Sequence, residues 1–143
     1  MYYANKYGLL PADRIIEPIF VTGLSKHHAI YLGADNAGTE WIAENYKFRD
    51  VRLVTAAAYF ARLQPFKVKK FAGSPTERKQ AVQRALQEIG KPYDLINYNC
   101  EHFAEYVQHG RAASRQIEMV KEGLGVAALV LLFIGTVKLL SND

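Results

Sequence analysis

The spacing of apolar and polar positions divides the first 110 residues into short extended segments followed by two helices. A turn at Leu10–Asp13 leads into a strand-like run, Arg14 to Val21, in which Pro18 marks an edge or a break. After a loop, His27-His28-Ala29-Ile30-Tyr31-Leu32-Gly33 is rich in β-formers and predicts a second strand. Thr39 to Asn45 is its predicted hairpin partner across the Gly33–Gly38 turn. Val51–Thr55 predicts another strand, with Val51 and Leu53 alternating against polar Arg52. Ala56–Leu63 reads as a short helix and Phe66–Phe71 as a basic strand of period two.

The clearest helix opens at Ser74. Ser74 is a good N-cap, Pro75 suits the first helical position and Glu77 completes a capping box. Ala81, Val82, Ala85, Leu86 and Ile89 predict one apolar face, with Gly90 as the stop. A second helix is expected from Asn99-Cys100 to about Gln108, with Phe103, Tyr106 and Val107 inward and Gly110 ending it. Residues 111–121 are more polar. Then Leu124 to Leu140 forms a 17-residue apolar run with Lys138 as its single charge. That length is near the lower limit for a bilayer span. By itself the run reads equally as a tail anchor or as a buried core helix.

Composition narrows the choices. The chain has 143 residues, half of them hydrophobic, and one cysteine. It is long enough to build one core without staples, and an intramolecular disulfide or a multi-cysteine zinc site is excluded. No metal or cofactor is expected. Charge is uneven: residues 62–91 hold eight Lys and Arg against two Asp and Glu. Such a surplus suits an anionic membrane surface, a phosphate-bearing ligand or nucleic acid, or else is simply a solvated basic helix face. No recognised nucleic-acid motif accompanies it, so nucleic acid is not an expected partner. The first residues lack a basic start and apolar run, so no export signal is expected.

Cys100 in the first turn of a helix would sit at the positive end of its dipole. Unpaired backbone N–H groups there favour a thiolate and can stabilise an oxyanion. A lone cysteine is also often a small buried core residue. A thiol nucleophile needs a base, and four histidines are available: His27, His28, His102 and His109. His102 is two residues from Cys100, points to another side of the helix and suits a structural role. His109 closes the helix and is expected to be exposed. His27 and His28 lie on one strand and face opposite ways. The next strand offers Glu40 and Glu44 on one face and Asn45 on the other as orienting groups.

The local words are more specific. His27-His28-Ala29-Ile30-Tyr31-Leu32-Gly33 resembles the histidine box of the lecithin retinol acyltransferase (LRAT) domain family. Asn99-Cys100-Glu101-His102-Phe103 resembles its cysteine box, and the order of the two is the same. The resemblance covers about residues 9–116. It implies an α+β, circularly permuted papain-like fold, an antiparallel sheet packed against a cysteine-bearing helix, followed here by the C-terminal hydrophobic helix. The expected division is a catalytic domain over 1–121 and an anchor over 122–143. The resemblance further implies a thiol-dependent lipid acyltransferase or phospholipase A-type hydrolase, with Cys100 as nucleophile and His27 as base. Members often carry a second histidine about a dozen residues after the first. Position 39 is Thr39, so Glu44 is taken as the substitute, with Asn45 next. The implied partners are an acyl-lipid substrate and a membrane, with the domain on the cytoplasmic side. A papain-like amide or peptide hydrolase and a non-catalytic binding module are the alternatives.

Overall fold

A computed structural model describes residues 1–18, 26–47, 49–62 and 66–111, which fall within one compact unit, Met1–Ala113. The expected 121/122 boundary and the apolar run 124–140 lie outside the described residues. Five strands, β1 (Arg14–Pro18), β2 (Lys26–Ala34), β3 (Glu40–Asn45), β4 (Val51–Thr55) and β5 (Lys67–Lys69), form one antiparallel sheet. Their order is β4-β3-β2-β1-β5. The first four make a meander, and β5 joins beyond β1. Helices α1 (Tyr2–Tyr7), α2 (Ala56–Phe60), α3 (Pro75–Gln87) and α4 (Cys100–His109) complete the fold. The expected α+β class and the antiparallel sheet against the cysteine-bearing helix are both present.

Strand alternation builds two cores. On one face Ile30, Ala43 and Val51 meet Ala81 and Ala85 of α3 and Phe103, Ala104 and Val107 of α4. On the other, Ile15, Ala29, Tyr31 and Ile42 meet Ala4 of α1 and Ala56 and Tyr59 of α2. Because both faces are covered, even polar residues of β2 and β3 end up buried. Turn geometry supports this: Gly33, at φ +99°, lies where the β2–β3 register shifts, and a Cβ there would approach Pro11 to 3.2 Å.

Helix α4 is fixed at both ends. Asn99 caps it by accepting from the Glu101 and His102 backbones, and His102 Nδ1 accepts from the Asn99 N–H. His102 thus fills the return position of a capping box, consistent with its expected structural role. Gly110 ends the helix at φ 72°. At that end the buried Arg14 guanidinium of β1 donates to Gln108 (3.0 Å) and Glu105 (2.7 Å), one helical turn apart. Gln108 in turn donates to the Ala12 carbonyl.

Several expectations are corrected. The first strand, described over Arg14–Pro18, lies inside the sheet between β2 and β5 and not at an edge; its expected continuation to Val21 lies outside the described residues. Helix α1 carries no clear periodicity; Glu40 defines its start by accepting from the Tyr3 and Ala4 N–H groups. The α3 face is narrower than expected. Ala81 and Ala85 are buried, but Leu86 and Ile89 are exposed, since small residues alone seat the helix close to α4. On β4 Val51 is buried as expected, but Leu53 is exposed at the sheet edge and Arg52 lies over the other face, against Glu44.

Candidate active site

The two histidines of β2 diverge as the strand period requires. His28 shares its face with Ile30 and lies under α4, its Nδ1 3.5 Å from Arg14 Nη1. Burial and then the neighbouring Arg14 push its pKa down to about 3, so it stays neutral. His27 shares its face with Ala29 and Tyr31, together with Glu44 and Ile42 of β3. Its Nε2 lies 2.8 Å from Glu44 Oε2. An ionised carboxylate only accepts, so Nε2 carries the proton of this bond. His27 sits near the start of β2, next to Lys26, close enough to Cys100 for the sulfur to raise its pKa. The Cys100 thiol also lies 3.5 Å from the Lys26 carbonyl, to which it donates. Cys100, His27 and Glu44 are therefore brought together. Glu40 is not; it accepts from α1 and from the Tyr31 hydroxyl at the other end of the sheet.

Asn45 faces the opposite way from Glu44. Its amide donates to the Tyr98 carbonyl (2.8 Å), just before the Asn99–Cys100 step. It supports the approach to α4 and does not orient the imidazole. The helix start also corrects one expectation. The Glu101 and His102 N–H groups are both taken by Asn99 Oδ1, so among first-turn donors near the sulfur only the Cys100 N–H is not engaged by the cap.

Electrostatics follow from this packing. Burial alone would lower the His27 pKa, but contact with Cys100 and the bond to Glu44 outweigh it and lift it to about 10. Burial alone would raise Glu44, which is fully buried. His27, Arg62 and Arg52 instead hold it at about 2. Arg52 donates from Nε and Nη2 to Oε1 at 3.0 and 2.8 Å, and Arg62 Nη2 donates to Oε2 at 3.1 Å. Neither arginine was legible as a site residue. The β3–β4 register, which sets Arg52 opposite Glu44, is the signal that identifies one of them. Burial and the nearby Cys100 also raise the Tyr93 phenol, and burial lowers Lys47, which lies in the field of the same sulfur.

Residues 11–113 match the family model of lecithin retinol acyltransferase. The chain belongs to that family. The resemblance carried by the histidine and cysteine boxes is thereby borne out, over nearly the expected extent. A 57-residue stretch is 35% identical to phospholipase A and acyltransferase 2 of Homo sapiens. That match covers 38% of this chain and 35% of the human protein, so it spans about a third of the relative. The histidine strand comes before the cysteine helix, in the order that the two boxes have in the sequence.

The two shifted groups give stability a defined pH window. A raised His27 contributes stability that is complete below about pH 6.5 and is lost as pH rises through about 10. A depressed Glu44 contributes stability that is complete above about pH 4.5 and is lost as pH falls toward 2. Urea midpoints measured across pH should therefore fall on both sides of this window. His27→Gln should flatten the alkaline fall, and an unchanged alkaline slope would contradict the assignment.

Proposed function

We propose that this protein is a thiol-dependent lipid acyltransferase or phospholipase A-type hydrolase, on the permuted papain-like plan that its family suggests. The observation that carries the reading is a single imidazole hydrogen-bonded to a buried carboxylate, beside Cys100 at the start of α4. With Nε2 engaged by Glu44, Nδ1 is the nitrogen left for proton exchange with sulfur. His27 already holds the proton drawn from Cys100, as the imidazolium that Glu44 stabilises, and the thiolate attacks a lipid ester carbonyl carbon. The carbonyl electron pair moves to oxygen, where the Cys100 N–H is the available helix-start donor. Collapse breaks the ester C–O bond, and His27 returns the proton to the leaving alcohol. A thioester on Cys100 remains. Water, an amine or an alcohol then attacks it, giving up its proton to His27 as the sulfur leaves. Glu44 holds the ring and stabilises its charged form.

Intact-protein mass spectrometry after incubation with phospholipid vesicles should show a fatty-acyl increment, or released fatty acid where deacylation is fast. Cys100→Ala should abolish both, and His27→Asn should slow turnover by about 10²–10⁴-fold. Lipid hydrolysis that survives Cys100→Ala would overturn the reading.

Membrane association is part of the same proposal. Among the described residues no helix is long and apolar enough to cross a membrane. The apolar run 124–140 is the proposed attachment, supported by its length and single charge. The exposed lysines of β5, Lys67 and Lys69, with Lys70 beyond, suit anionic headgroups. Deleting residues 123–143 should move the protein from the membrane to the supernatant fraction. A full-length protein that never sediments with membranes would contradict it.

A further inference from the structure

Glu44 accepts four hydrogen bonds among the described residues: one from His27, two from Arg52 and one from Arg62. The two arginines come from different elements. Arg52 lies on β4, directly opposite Glu44 in the strand register. Arg62 follows α2. Each guanidinium is itself held in place. Arg52 stacks over the Tyr46 ring at 4.0 Å. Arg62 stacks over Tyr59 at 4.2 Å and donates from Nε to the Tyr59 carbonyl at 3.2 Å. One cation suffices to pair a carboxylate, so the second needs an account. The division of oxygens supplies it. Arg52 puts two donors of its fork on Oε1, which fixes the carboxylate plane. Arg62 shares Oε2 with His27, which sets the direction from which the imidazole is met.

A second carboxylate makes this control necessary. Glu17 of β1 is the register partner of His27 and is also buried. Burial pushes the Glu17 carboxyl up, against the opposing pull of His27 and Arg62. The two acids facing one imidazole are thus driven apart, and the arginines favour the one on β3. The other groups around His27 among the described residues are Lys26 and His28 on its own strand, Tyr46 after β3, whose ring meets the imidazole edge-on at 6.2 Å, Tyr59 from α2 and Cys100 from α4. None of these gives Glu44 a hydrogen bond of the kind the arginines supply.

We propose that Arg52 and Arg62 are positioning residues: they clamp Glu44 as a carboxylate in one orientation, so that Oε2 holds the His27 ring with Nδ1 turned to Cys100. The inference rests on the thiol acyl-transfer reading. It goes further by assigning the charge state and geometry of the histidine–carboxylate pair to residues outside the Cys100–His27–Glu44 group.

The test is the pH profile of Cys100 alkylation by iodoacetamide, followed by intact mass in the full chain, for the parent protein, Arg62→Gln, Arg62→Lys and Arg52→Gln. Either glutamine variant should move the acid limb of the profile upward by about one pH unit, since Glu44 then loses one of its cations. Arg62→Lys should restore most of the parent profile. A uniform loss of rate without a shift, or an unchanged profile, overturns the clamp while leaving the acyl-transfer reading intact. A parent Cys100 that is unreactive at every pH overturns both. If the glutamine variants do not fold, carboxyl-carbon NMR of Glu44 in the parent protein decides the matter. A carboxyl that stays ionised below pH 4 supports the clamp, and one that titrates near 4.5 overturns it.

Discussion

A carboxylate removed from water is the constraint around which this end of the molecule is arranged. Transferring an ion into a protein interior costs several kcal/mol after relaxation, and that cost is offset only by close charged partners in good geometry. Glu44 has no solvent exposure. Its partners must therefore be delivered by the fold: His27 by β2, Arg52 by the β3–β4 pairing, and Arg62 by the chain that leaves α2. The deliveries of His27 and Arg52 depend on strand register, and a slip of one residue in either pairing would turn the side chain to the other face. The polar site thus enforces the same sheet register that the apolar cores require.

The sulfur arrives from the opposite layer. Helix α4 lies on the face occupied by Ile30 and Ala43, whereas Glu44 lies on the other. His27 bridges the two because it stands near the strand end, where its ring can meet Cys100 past the edge of the pleat. That arrangement asks for an accurately placed helix start. Asn99 and His102 shape its first turn, and Asn45 braces the preceding carbonyl. Arg14 fixes the far end. The family's cysteine box is therefore legible as mechanics: asparagine caps, cysteine follows at the first helical position, and histidine closes the cap two residues later.

Much of this was legible in the sequence where local chemistry dominates. The Ser74 and Asn99 caps, the β2–β3 hairpin, the opposed histidines and the Cys100–His27–Glu44 grouping all follow from spacing, turn residues or the family words. What escaped depends on tertiary pairing. Arg52 looked like the solvent side of an alternating strand, but α2 folds over that face and makes it interior. Leu53 looked like core but lies at the sheet edge. Arg62 was read as part of a helix over Ala56–Leu63, but α2 ends at Phe60 and no pattern announces the partner of Arg62. Helix α1 is six residues long and is defined by Glu40, some 36 residues away in sequence. Leu86 and Ile89 share the helical stripe with Ala81 and Ala85, yet the close approach of α3 and α4 leaves them outside.

The central claim is that His27 is a charged imidazole fixed between a clamped carboxylate and the Cys100 sulfur. Nitrogen-15 NMR of the His27 ring in the full chain reads its protonation directly. The account predicts that both ring nitrogens report imidazolium at pH 8 and lose that signature only as the pH approaches about 10. A ring that is already neutral at pH 8, with an ordinary transition near 6.5, would contradict it.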